Sequence, residues 1–116
     1  MTPEECTRVL GTVRSEHART VAQIKALERA VASIVDGSEL TATDDEHDPE
    51  GATIAYERAQ GMALLRQARL DLDRLADART RLETGASVVC GRCGRGIDIE
   101  RLTALPTART CIHCAT

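Results

Sequence analysis

Apolar and small residues recur at alternating three- and four-residue steps through the first third of the chain. Leu10, Val13, His17, Thr20, Ile24, Leu27, Val31 and Ile34 follow one another this way, with charged residues between them. That spacing predicts a long helix with a coiled-coil seam. Thr2 precedes Pro3 and Glu5 follows, the order of a helix start with a capping residue, proline at the first helical position and a capping-box acid. Asp36-Gly37 is the expected stop. A polar stretch runs to about residue 48, where Asp48-Pro49 repeats the start signal. In the second helix Leu65, Ala68, Leu72, Leu75, Arg79 and Leu82 keep the three-four rhythm, and Gly85 is the expected end. Asp77 and Arg81 stand in the favourable acid-before-base i,i+4 order. Two helices of about 35 residues, each about 50 Å long, joined by a short polar connection, fold back as an antiparallel hairpin. The polar connection then forms its tip.

Composition narrows the fold further. The 116 residues are 42% hydrophobic, yet there is no Trp or Phe and Tyr56 is the sole aromatic. Aromatics supply much of the buried area of a compact globule, so thin aliphatic seams fit better than a thick core, and Tyr56 is expected to pack. The expected class is mainly α. It has a coiled-coil hairpin over 1–86, an acidic tip at about 38–52, and a small cysteine-rich element over 87–116.

Net charge is −3, which argues against sequence-independent wrapping of nucleic acid. The stretch at 41–50 holds Asp44, Asp45, Glu46, Asp48 and Glu50 without a Lys or Arg. Acids near a helix start are favoured by its dipole, and an acidic loop is commonly just solvated. No apolar run reaches the ~20 residues of a membrane span. "MTPEECTRVL" has no basic region leading into an apolar one. A cytoplasmic location is expected, where disulfides are rare and paired cysteines commonly hold metal.

The tail contains such pairs. Cys90-x-x-Cys93 and Cys111-x-x-Cys114 stand 17 residues apart, within the spacing of four-cysteine zinc sites. Two residues between thiolates let a tight turn aim both sulfurs at one ion, and two such turns complete a tetrahedron. Gly91, Gly94 and Gly96 are expected to supply the positive-φ positions and close backbone approach. About 30 residues with few large apolar groups cannot fold alone, whereas structural zinc contributes roughly 10–16 kcal/mol. One structural Zn²⁺ is therefore expected on Cys90, Cys93, Cys111 and Cys114. With all four positions filled by protein and no nucleophile–base pair in sight, enzymatic chemistry is not expected. Arg92 and Arg95 offset the negative charge of the thiolates. His113 lies inside the second pair, and His17 on the first seam reads as a polar residue setting register. Cys6, beside Val9, Leu10 and Val13, reads as a small hydrophobe.

The segment "CGRCGRGIDIERLTALPTARTCIHC", with its "RL-A-P-AR-C--C" second half, resembles the zinc finger of the DksA/TraR family. "DDEHDPEGATIAYERAQ" resembles the family's tip and the start of its second helix, so the likeness spans about residues 44–114. It implies a bacterial transcription regulator that binds RNA polymerase without needing DNA. In the family, the hairpin enters the polymerase secondary channel and tip acids approach the catalytic centre. The tip pattern Asp-x-x-Asp-x-Ala falls on His47, Glu50 and Ala52, or takes in Asp45 or Asp48 after a slide of a residue or two. Asp45, Asp48, Glu50 and Ala52 are the tip candidates on this resemblance, and Arg101 and Arg109, in the matched stretch, are candidate polymerase contacts. Members that respond to guanosine tetraphosphate have basic residues where this chain has Leu105 and Ala115, which argues against that response. The chain stops two residues past Cys114, as short TraR-like forms do. Two other classes fit the residues alone: a nucleic-acid-binding zinc finger, and a structural coiled-coil adaptor.

Overall fold

The computed structural model describes residues 2–40, 49–84 and 88–115, with the side chains of 35, 37–40, 49 and 50 outside that description. Three helices follow in order: α1 (Pro3–Leu40), α2 (Pro49–Glu83) and α3 (Ile99–Ala104). The first two, of 38 and 35 residues, form the hairpin. An isolated antiparallel bridge pairs Val89 with Gly96.

The start of α1 follows its residues. Glu5 N–H donates to Thr2 Oγ1 at 3.1 Å, and Pro3 takes the first helical position. The expected stop at Gly37 is corrected, because α1 continues through it to Leu40. A glycine inside a helix costs only about 1 kcal/mol relative to Ala, and no proline follows to stop the backbone. α2 begins at Pro49 and ends at Glu83; the cap Asp48 and the stop Gly85 lie outside the described residues.

The chain divides into two compact units, one of Met1–Arg19 with Leu72–Thr116 and one of Thr20–Asp71. In the second, Ile24, Leu65 and Ala68 are buried, with Leu27, Val31 and Ile34 half-buried. Here α1 and α2 approach closely: a Cβ built on Gly61 would sit 3.0 Å from Val31 Cγ2. Tyr56 does not pack as expected, being 70% exposed. The aliphatic seam closes without it.

In the first unit one apolar cluster gathers Val9, Val13, Leu75, Ala78 and Leu82 from the helices with Val88, Cys90, Ile97, Leu102, Ala108 and Cys111 from the cysteine-rich segment. The second seam departs from expectation at one position. Ala78 is buried, whereas Arg79 is exposed and its Nε donates to Glu83 Oε1 at 2.9 Å. Leu75, Ala78 and Leu82 stand three and four residues apart on one helix face, so that face closes over the small Ala78 and leaves the charged Arg79 at its solvent side. Arg14 reaches the same Glu83 oxygen at 2.9 Å, tying α1 to α2 on the solvent side. These two guanidiniums, Arg14 first, hold the Glu83 carboxyl below the usual range.

Candidate metal centre

Each pair of cysteines sits in a hydrogen-bonded turn. Around the first, Cys90 N–H donates to Arg95 O at 2.7 Å, Gly94 N–H to Cys90 O at 2.9 Å, and Ile97 N–H to Val88 O at 3.0 Å. Residues 88–97 thus form a small hairpin with Cys90 and Cys93 near its end. Only Gly94 of the three neighbouring glycines has positive φ, at 75°. The expectation for Gly91 and Gly96 is corrected: a Cβ on Gly91 would make an ordinary 3.6 Å contact with Arg109 O, and one on Gly96 would meet nothing. In the second turn Cys114 N–H donates to Cys111 O at 3.0 Å. A cross-link from Gly91 N–H to Arg109 O at 2.9 Å joins the two turns.

These turns bring the four predicted cysteines together, with all four sulfurs within 4.8 Å of one another. Cys93 and Cys111 Sγ are 3.7 Å apart. A tetrahedron with metal–sulfur bonds near 2.3 Å has edges of about 3.8 Å, so this spacing fits one metal ion. Cys90 and Cys111 are buried, Cys114 is half-buried and Cys93 is exposed.

The electrostatics favour the same occupant. Backbone N–H groups of Cys111 and Cys93, helped by Arg92, lower the Cys90 thiol to about 6. Burial pushes Cys111 up, but the N–H of Cys114 and the neighbouring sulfurs more than offset it, and its thiol is lowered. Cys114, hydrogen-bonded to Cys111 and crowded by the other sulfurs, is pushed up to about 12. Four thiolates in so small a volume repel one another, and a divalent cation removes that conflict. Soft sulfur donors in a closed tetrahedron select zinc.

The arginines around this centre have structural partners that the spacing alone did not reveal. Arg101 Nε donates to Thr110 O at 2.7 Å, fixing α3 against the second turn. Arg109 pairs with Asp77 of α2, and Arg81 Nε approaches the same Asp77 oxygen at 3.2 Å. The acid-before-base pair read from the sequence is therefore present, with a third charge added by the finger. Cys6 Sγ lies 3.6 Å from Leu82 O and packs on the apolar cluster, as a small hydrophobe does. Arg92, Arg95 and His113 are exposed. Of the tip candidates, Asp45 and Asp48 lie outside the described residues, as do Asp44 and His47. Glu50 is described only in its backbone, within α2, and Ala52 is exposed on the same helix.

Residues 77–116 match the family model described as the prokaryotic dksA/traR C4-type zinc finger. Over 72 residues, 62% of its length, the chain is 39% identical to the uncharacterized protein YteA of Bacillus subtilis (strain 168), and it spans 30% of that protein. The fold is similar to that of transcription factor DksA2 from Pseudomonas aeruginosa. That match has a TM-score of 0.81 and 21% identity, and covers 97% of this chain and 81% of the other. The resemblance read from the finger motif is thus borne out: residues 77–116 match the dksA/traR C4-type zinc-finger model, and the fold over 97% of the chain is similar to that of DksA2.

Proposed function

We propose that the protein regulates transcription by binding RNA polymerase directly, with the hairpin entering the secondary channel and the acidic tip acting near the catalytic centre to modulate initiation. The observation that carries this reading is the likeness of fold, over 97% of the chain, to a protein described as a transcription factor, beside the match of residues 77–116 to the dksA/traR zinc-finger model. The net charge of −3 is in keeping with a protein partner rather than a DNA duplex. In this reading zinc is structural, and the tip acids Asp45, Asp48 and Glu50 with Ala52 supply the effect on initiation. Arg109, whose side chain is 67% exposed while paired with Asp77, can meet polymerase as well. Arg101 acts at one remove by holding the second cysteine turn.

Mutation should separate affinity from effect. Asp48→Asn with Glu50→Gln keeps a good helix cap, because Asn caps nearly as well as Asp. This variant is expected to lose most of its effect on initiation while binding polymerase within about threefold of wild type, under about 0.7 kcal/mol. Cys93→Ser removes a ligand and should lower binding and effect together. In vitro transcription beside a binding assay decides the matter. A fully active tip variant would return those acids to the role of a solvated loop, and a wild type that does not bind polymerase would end the reading.

A further inference from the structure

The finger has a second feature that its metal does not explain. A cavity of about 300 Å³ opens on its surface, lined by Asp98, Glu100, Arg101, Ala104, Leu105 and Ile112, none of them a zinc ligand. Ile112 is 65% exposed and Leu105 48%, although Leu102, three residues before Leu105, and Cys111, next to Ile112, are buried. A volume near 300 Å³ lies at the small end of ligand pockets and has room for an aliphatic side chain together with the stem of a neighbouring one.

The charges at the rim are of one available sign. Arg101 is committed to the Thr110 carbonyl. Asp98 makes no side-chain bond at the start of α3, and among the described residues neither Asp98 nor Glu100 has an ion-pair partner. Two carboxylates beside an apolar floor repel phosphates and nucleic acid. They attract a Lys or Arg, whose aliphatic stem can lie along Leu105 or Ile112 while its head reaches a carboxylate. A second copy of this chain, itself at net charge −3, is a poor complement.

We propose that this pocket is a docking site for one apolar side chain of a partner polypeptide, presented next to a Lys or Arg. The partner rests on the reading above and is RNA polymerase; the pocket is an anchor on the finger, separate from the acidic tip. Because the apolar walls and the acids are different side chains, they can be altered independently.

The test uses the full, zinc-loaded chain and purified bacterial RNA polymerase. Ile112→Glu places a charge in the apolar wall, and Leu105→Glu does so at the other exposed apolar residue of the lining. Asp98→Lys with Glu100→Lys reverses the rim. Zinc content and circular dichroism establish that each variant is folded. Each glutamate variant should weaken polymerase binding by about tenfold or more, the loss expected for an anchor side chain, while Ile112→Leu should stay near wild type. The lysine pair should weaken binding and flatten its salt dependence. Binding of all folded variants within about twofold of wild type would overturn the docking site and leave the polymerase reading intact. Absence of wild-type binding would instead remove the polymerase reading and the proposed occupant with it. A wild-type dimer in sedimentation that Ile112→Glu dissociates would overturn the proposal in favour of self-association.

Discussion

Gly94 and Gly96 lie two residues apart beside the first cysteine turn, yet they answer to different constraints. Gly94 sits at φ 75° with open space around its missing Cβ, so a side chain there meets no neighbour and only the backbone resists. An L-residue in that region costs roughly 1–2 kcal/mol. Gly96 carries no such φ and its Cβ would also meet nothing. Gly94→Ala should therefore weaken zinc retention against a competing chelator by about tenfold, while Gly96→Ala should leave it unchanged or slightly improved, since alanine has less chain entropy to lose. Equal losses at both positions would mean that the finger needs bare backbone rather than a left-handed residue. The sequence placed glycine here without saying which glycine bends. That information lies in the Gly94 N–H bond to Cys90 O, which exists only once the turn has closed.

The helices show how far periodicity reaches. The seam of α1 is legible over its length because its spacing is the physical requirement for burying one face. The second seam fails at one step, Arg79 for Ala78, because alanine is too small to stand out in a hydrophobic pattern. Gly61 illustrates the same blindness: its role is visible only beside Val31, a residue far away in sequence. Replacing glycine by alanine within a helix ordinarily stabilises it by about 1 kcal/mol. Here the new methyl would meet Val31 Cγ2 at 3.0 Å, and a helical valine has little freedom to turn away. Overpacking of this kind costs about 1–3 kcal/mol, so Gly61→Ala should be destabilising by about 1 kcal/mol in thermal or urea unfolding. In a Val31→Ala background the same change should become stabilising by a similar amount. An additive cycle would show that the close approach relaxes at no cost.

At the scale of the molecule, the four cysteines were legible because metal geometry constrains local spacing, whereas the union of finger and helices was not. Five helical residues and six from the finger segment share one cluster, and the contacts that join them are long-range. Val88 and Cys90 are buried on either side of exposed Val89, a strand-like alternation too short to announce itself. Removing zinc should consequently disturb more than the finger. Hydrogen exchange after chelation should show lost protection at Val9, Val13, Leu75 and Leu82, with the amides near Ile24 and Leu65 retained. Undisturbed helix ends would mean that the helical seam is self-sufficient there. The same cluster gives the metal a direction of exit. Cys93 is an exposed residue whereas Cys90 and Cys111 are buried, so a competing thiol is expected to displace Cys93 first and to reach the buried pair only when apolar surface opens. On this expectation the residence time of a zinc ion follows the breathing of the helix ends, and its measurement becomes a clock for packing at Val13 and Leu82.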